Sequence, residues 1–281
     1  MAAERVYTLE SLGAPLFTSR SSEIFRWEGE DKLLKLFREG VDRELIDGEE
    51  ANTRAAFEKG ITEVECFGQV EVEGRHGIIL RKIEGATLIG TLGKQPSILF
   101  KASQIMADLQ IEMHNTHTDK IRSYKEMVKQ TLMNAPVFDY LTAEEKERAI
   151  AKIDALPEGD SILHFDYHPD NIMTHDGKST IIDWMTACSG APAADVAATV
   201  FLLTEGEMIP GLSKAVAAVM QFLRGKICRS YYKKYKAQTG MTDEEVQAFR
   251  LPFMIFRLGV WTIESEIEPL QRKIREEIEK N

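Results

Sequence analysis

Apolar and polar positions change rhythm once along this chain. Up to about residue 84, apolar runs of strand length over 23–27, 32–37, 66–72 and 77–83 are separated by turn residues. Glu28-Gly29-Glu30-Asp31 and Glu73-Gly74-Arg75 supply two hairpin turns, and one helical stretch over 42–59 is closed by Gly60. This predicts an antiparallel sheet with one inserted helix. Beyond Gly85 the period becomes helical: over 96–117, Ile98, Leu99, Ala102, Ile105, Met106, Leu109 and Met113 form a broad apolar stripe. Further helices are expected over 124–132, 142–155, 212–236, 243–266 and 269–280. The pattern is that of an α+β chain in two parts, 1–84 and 85–281, with the boundary at Ile83-Glu84-Gly85.

The stretch 163–183, LHFDYHPDNIMTHDGKSTIID, interrupts the helical rhythm and concentrates polar side chains. Ile162 and Leu163 lead into His164, Asp166 and Asn171; Ile172 and Met173 then begin a strand that turns at Asp176-Gly177 and returns through Thr180, Ile181 and Ile182. Asp-Gly between two apolar runs is a hairpin signal, so Asp183 should return beside the loop that holds Asp166 and Asn171. Asn171 and Asp183 offer the hard oxygens that a magnesium ion takes, and Asp166 is the carboxylate left for an attacking hydroxyl. The spacing His-x-Asp-x-x-x-x-Asn, followed by an aspartate on a strand, repeats the protein-kinase catalytic-loop pattern with Phe165 in place of arginine. Two plainer readings stand beside this one. The aspartates could be ordinary turn and strand-end residues. Alternatively His164, Asp166 and His168, alternating as on a strand, could bind zinc, which would leave Asn171 and Asp183 without a role.

Lys35 lies in the run KLLKLF with apolar neighbours on both sides and shares a strand face with Leu33 and Phe37. A lysine there needs a partner, and a nucleotide phosphate or a helix carboxylate would serve; a solvated strand lysine is the plain alternative. Glu44, Glu49, Glu50 and Glu58 on the following helix compete to be that carboxylate. The segment 13–22, GAPLFTSRSS, has one glycine, and its backbone amides with the hydroxyls of Ser19, Ser21 and Ser22 could meet phosphate oxygens. A polar hairpin explains it as well. His114 and His117 read as a polar pair at a helix end without an acidic partner.

The runs HFDYHPDN and IIDW resemble the aminoglycoside phosphotransferase and choline kinase family of small-molecule kinases. The resemblance implies a bilobal, protein-kinase-like fold, with a small sheet lobe that binds nucleotide and a larger helical lobe that carries the catalytic loop and acceptor pocket. It implies Lys35 on the phosphates, Glu50 in EANTRAAFEKGI as its partner with Glu49 as the alternative, and backbone around Arg81, Lys82 and Ile83 on the adenine edge. It also implies that Asp195, in the continuation WMTACSGAPAADVAATVFLL, supports the catalytic loop through backbone hydrogen bonds. The family commonly has glycine where this chain has Phe165 and aspartate where it has Ala191. Those departures bear on the acceptor more than on phosphoryl transfer.

Composition narrows the picture further. At 281 residues and 43% hydrophobic content the chain can build two sizeable cores. Three widely spaced cysteines, Cys66, Cys188 and Cys228, form no metal or redox motif and are expected to be reduced. No apolar run approaches the ~20 residues of a membrane span, and a soluble, cytoplasmic protein is expected. The net charge of −10 disfavours nucleic acid and anionic membranes as partners and tolerates a cationic substrate. The expectation is a kinase that transfers the γ-phosphoryl group of ATP or GTP, with Mg2+, to a hydroxyl of a small cationic acceptor such as an amino sugar. Glu264, Glu266 and Glu268 are its candidate cation site, with a solvated acidic helix end as the plainer reading. The rivals are an inactive nucleotide-binding protein of the same fold and a kinase for a neutral acceptor.

Overall fold

The computed structural model describes residues 7–92, 99–207, 211 and 213–280. In chain order the first elements are α1 (Leu9–Leu12), β1 (Phe17–Thr18), β2 (Ser22–Trp27), β3 (Lys32–Phe37), α2 (Arg43–Glu58), β4 (Cys66–Val72) and β5 (Arg75–Arg81). Then come β6 (Ala86–Thr87), α3 (Leu88–Leu92), α4 (Leu99–His114), α5 (Tyr124–Asn134), α6 (Ala143–Asp154), β7 (Ser161–Leu163), β8 (Ile172–His175) and β9 (Lys178–Ile181). The chain continues with β10 (Cys188–Gly190), α7 (Pro192–Thr204), α8 (Lys214–Thr239), α9 (Asp243–Ala248), α10 (Arg250–Trp261) and α11 (Glu264–Glu279). They form two compact units, Met1–Gly90 with Asp170–Ala187, and Thr91–Pro169 with Cys188–Asn281. Where the sequence pattern places one boundary near 84, residues 170–187 thus join the first unit.

The first unit is an antiparallel sheet in the order β1-β2-β3-β5-β4. Phe25, Trp27, Leu34, Leu36 and Val72 make its core, with Leu9 and Leu12 packed against them. Asp42 caps α2 by accepting the Glu44 amide, and Lys59 ends the helix before Gly60 at φ +75°. The hairpin β8–β9 belongs here because β8 pairs with β6, Ala86 opposite Thr174 and Thr87 opposite Met173. Gly85 permits that approach: it has φ +108°, and a Cβ would lie 2.2 Å from the Thr174 carbonyl oxygen.

The second unit is mainly helical, with β7 and β10 paired antiparallel in its interior. Its core is aromatic: Phe165, Tyr167, Phe249, Phe253 and Phe256 are all nearly inaccessible. The helix expected over 96–117 is α4; residues 96–98 lie outside the described residues, as does Leu212 at the expected start of α8. The stretch expected as one helix over 243–266 is broken into α9 and α10, and α10 ends at Thr262 in the left-handed region. Pro269 lies inside α11 instead of starting a helix. Phe222 on α8 is exposed, as are Val216 and Val219. Among the described residues no helix is long and apolar enough to cross a membrane. All three cysteines are free and buried.

Candidate active site

Lys35 is buried on β3, and its Nζ donates to both oxygens of Glu49, at 2.7 and 2.8 Å, and to Asp183 Oδ1 at 2.8 Å. Burial works against the ammonium, but Asp183 and Glu49 outweigh it and hold the Lys35 pKa above its ordinary value. Burial pushes Glu49 up to about 7, against the pull of Lys35 and with Asp183 adding to the rise. The partner of Lys35 is therefore Glu49 and not Glu50. On α2 the buried stripe runs through Ile46, Glu49, Asn52, Thr53 and Ala56. Glu50, one residue and about 100° further round, instead accepts from Arg54 and from Gln69 Nε2. Ile46 and Ala56, the apolar members of that buried stripe, lie in phase with Glu49 and are the sequence signal that distinguishes the two.

The hairpin forms as its sequence predicts. Asp176 and Gly177 take φ +48° and +80° at the turn, and Ile172 pairs with Ile181. One step further on, the Ile182 amide donates to the Asn171 carbonyl at 2.9 Å, so Asp183 emerges beside Asn171. Sequence reasoning missed what fixes this segment. Asn52 Nδ2 donates to the carbonyls of Trp184 and Ala187, and Thr62 Oγ1 donates to the Ile181 carbonyl at 2.6 Å. Asn171 is buried and Asp183 is exposed at φ +65°. Together they offer an amide oxygen and a carboxylate whose Oδ1 alone is taken by Lys35, beside a second carboxylate on Glu49. One ammonium against two carboxylates fits a hard cation that phosphate and water would complete. Among the described residues no group of three His, Cys, Asp or Glu side chains could hold a metal ion, and the zinc reading has no such cluster.

The other residues of the sheet unit are differently placed. Ser19 Oγ donates to the Ser22 carbonyl at 3.0 Å and accepts the Ser22 amide at 3.1 Å, which closes the turn between β1 and β2. Ser22 is 1% exposed, so its hydroxyl is a packing group and not a phosphate contact. Ser21 is half-buried, and its carbonyl accepts the Arg38 amide. Arg81 is exposed and paired with Glu65, and its amide donates to the Glu65 carbonyl; the Lys82 amide donates to Asp31. Ile83 follows, half-buried.

In the helical unit Asp166 follows Phe165, whose φ of +64° is a left-handed backbone costing ~1–3 kcal/mol in a residue other than glycine. Tight packing holds it there. The Phe165 ring meets Phe253 and Phe256 at 5.5 and 4.9 Å between centroids, and its amide donates to Asp195 Oδ1 at 2.6 Å. Asp195 thus supports the loop as the resemblance implies. Its Oδ2 accepts from Gln110 Nε2 at 2.9 Å and from His114 Nε2 at 3.0 Å, while His114 Nδ1 is hydrogen-bonded to Tyr235 OH at 2.6 Å. His114 therefore has an acidic partner that sequence spacing could not reveal, and His117 has one in Asp160 at 2.8 Å. Burial raises the Asp195 carboxyl, but His114, His164 and Gln110 outweigh it and hold the group below its ordinary value. Burial likewise raises Asp166, and His168, His164 and Arg257 together bring it below the ordinary range. His168 Nε2 lies 3.6 Å from Asp166 Oδ2. A carboxyl held in this way is ionised at neutral pH.

The profile of the phosphotransferase enzyme family matches residues 18–215 of the 281. The chain belongs to this family. Solved structures share the fold. A thermostable mutant of aminoglycoside phosphotransferase APH(4)-Ia in ternary complex with ADP and hygromycin B is 15% identical with TM-score 0.64, covering 96% of this chain and 95% of that one. Amicoumacin kinase hAmiN, in complex with AMP-PNP, Ca2+ and Ami, is 14% identical with TM-score 0.60, covering 97% and 89%. Aminoglycoside phosphotransferase APH(3'')-Id from Streptomyces rimosus is 14% identical with TM-score 0.56, covering 86% and 92%. No curated protein sequence matches. This phosphotransferase has the kinase-like α+β fold, an antiparallel sheet unit with one long helix and a mainly helical unit.

Proposed function

We propose that this phosphotransferase moves the γ-phosphoryl group of ATP or GTP to a hydroxyl of a small molecule. The observation that carries the reading is the sharing of buried Lys35 between Glu49 and Asp183, in a chain whose HFDYHPDN run supplies Asp166 and Asn171. Lys35, held by Glu49, meets phosphate oxygens; Asn171 and Asp183 would hold Mg2+, which would supply charge neutralisation at the phosphates. Asp166 orients the acceptor hydroxyl and takes its proton as the oxygen attacks the γ-phosphorus and the bond to the β-phosphate breaks, releasing the nucleoside diphosphate. Backbone from Ile83 onward meets the purine, since the Arg81 and Lys82 amides are already engaged. Complexes of the similar structures with ADP and AMP-PNP support a nucleotide donor. The cation site expected at Glu264, Glu266 and Glu268 is not assembled, because Glu266 is buried and bonded to Arg257 at 2.8 and 3.1 Å while Glu264 and Glu268 are exposed; a cationic acceptor then rests on the family resemblance and the net charge alone.

Asp183→Asn tests the reading. The substitution should remove most of the magnesium-dependent gain in nucleotide affinity and lower turnover with it, because one anionic ligand is lost. Titration of nucleotide with and without magnesium decides this. A variant that keeps the full gain would show that Asp183 does not hold the metal.

A further inference from the structure

The helix beneath the catalytic loop carries a guanidinium that the phosphoryl-transfer machinery leaves unused. Phe253 and Phe256 on α10 pack against Phe165, which sets the next residue of that helix, Arg257, close to the loop that bears Asp166. The Arg257 side chain is only 11% exposed. Its Nε and Nη2 form a fork on Glu266, at 2.8 and 3.1 Å, and Nη1 has no partner among the described residues. Glu266 is fully occupied, since Oε1 also accepts the Glu207 amide at 2.7 Å. A second guanidinium, Arg224, donates to the carbonyls of Leu202 and Gly206. Burial first, and the nearby charge of Arg257 second, hold Arg224 below its ordinary pKa.

The two arginines therefore act on one another's charge, with Glu266 bonded to Arg257 and within electrostatic reach of Arg224. A fork pinned along one edge presents its remaining N–H groups in a fixed direction, the arrangement that suits a planar or tetrahedral oxyanion. The net charge of −10 does not oppose this. It acts over the whole surface, and charges beyond the Debye length of ~8 Å are screened, so buried neighbours dominate locally.

We propose that Arg257 receives an anionic group of the acceptor, a carboxylate or a phosphate, and with Arg224 selects hydroxylated anions over amino sugars. This rests on the proposed role of Asp166 at the acceptor hydroxyl. It reverses the charge class that the acidic composition suggests. Glu266 then acts as a positioning residue that aims Arg257, and the Phe165 packing sets how far the guanidinium stands from the reacting oxygen.

The experiment measures ADP formation by the full chain with ATP or GTP and magnesium across matched acceptors: gluconate and glucose 6-phosphate, neutral glucose, and cationic glucosamine and kanamycin. At least one anionic member should be turned over with kcat/KM roughly tenfold or more above its neutral and cationic counterparts, the worth of one charge-assisted hydrogen bond. Gluconate against glucose 6-phosphate tells carboxylate from phosphate recognition. For the preferred anion, Arg257→Gln should raise KM by ~10–100-fold, and Arg257→Lys and Glu266→Gln by less, the first because it keeps the charge and the second because the guanidinium stays but loses its fixed aim. A purely structural ion pair would instead make these variants lose neutral, cationic and anionic acceptors alike. That result, a preference for amino sugars, or an anionic panel that leaves nucleotide consumption unstimulated would each overturn the proposal. If Glu266→Gln fails to fold, the order of the two Arg257 variants still decides. Failure of the phosphotransfer reading looks different: the wild-type chain would show no magnesium-dependent nucleotide binding at all.

Discussion

Lys35 in the sheet unit and Asp195 in the helical unit are both buried charges, and their surroundings differ in one respect. Lys35 faces two carboxylates, Glu49 and Asp183, and Asp183 is exposed. Asp195 is 0% exposed, and its two oxygens accept from the Phe165 amide, Gln110 and His114, each of which the protein supplies. When both carboxylates are ionised the first cluster carries more negative charge than its own lysine neutralises, and that balance is open to a proton on Glu49, whose pKa is raised to about 7, or to a cation from solution. The second is closed, and its work is to hold the backbone of the catalytic loop in an otherwise costly conformation. Unbalanced charge marks groups that bind, and satisfied charge marks groups that hold.

Asp166 lies next to the closed cluster but should behave like the open one. Asp166→Ala should lower kcat by roughly 10²- to 10⁴-fold, the usual contribution of a general base, while magnesium-dependent nucleotide affinity stays close to wild type. Steady-state kinetics beside nucleotide titration checks both halves. A loss of less than about tenfold would count against proton transfer at this residue.

Asp195→Asn should act mainly on stability, by roughly 2–3 kcal/mol at neutral pH, because an amide can accept the Phe165 N–H but cannot satisfy Gln110 and His114 as a carboxylate does. The pH dependence has a defined sign. Asp195 is held below its ordinary value in the fold, so its contribution is present above the unfolded carboxyl pKa of about 3.9 and is lost as pH falls through the folded value. Denaturant unfolding of both proteins should therefore show a gap that is full at pH 7 and narrows below about pH 4. A gap independent of pH would mean that Asp195 contributes by shape and not by charge.

Local pattern made the hairpin, Lys35 and the catalytic stretch legible, because each is decided within a few residues. Asp176-Gly177 specifies its turn, and a lysine flanked by Leu34 and Leu36 announces that it needs a partner. Choosing that partner depended on helix phase, where a shift of one residue separates Glu49 from Glu50. The stripe from Ile46 to Ala56 carries the answer, since Glu49 falls on it. The helical unit was less legible for a different reason. Gln110 and His114 meet Asp195 across a long loop of chain, and Arg257 meets Glu266 only because Thr262 turns the chain between two helices. An acidic run read as solvated or cation-binding thus contains one carboxylate, Glu266, that is buried against an arginine. No local pattern distinguishes it from Glu264 and Glu268.

The contrast between closed and open groups has a small counterpart in Tyr124. Its ring is fully buried, 5.7 Å from Phe249 and 6.4 Å from Phe165 between centroids, and it fills the space that Gly190 leaves: a Cβ there would lie 2.3 Å from Tyr124 Cδ1. The hydroxyl has no hydrogen-bond partner among the described residues, and burial pushes its pKa well up. A polar atom buried without a partner contributes desolvation cost and nothing in return. Tyr124→Phe keeps every ring contact and removes that cost, so the variant should be as stable as the parent or more stable by up to ~1 kcal/mol, with unchanged turnover. Thermal or denaturant unfolding measures this directly. A loss of stability of ~1 kcal/mol or more would show that a water molecule bonds the hydroxyl in solution, which would move Tyr124 from the unsatisfied groups to those that hold the loop.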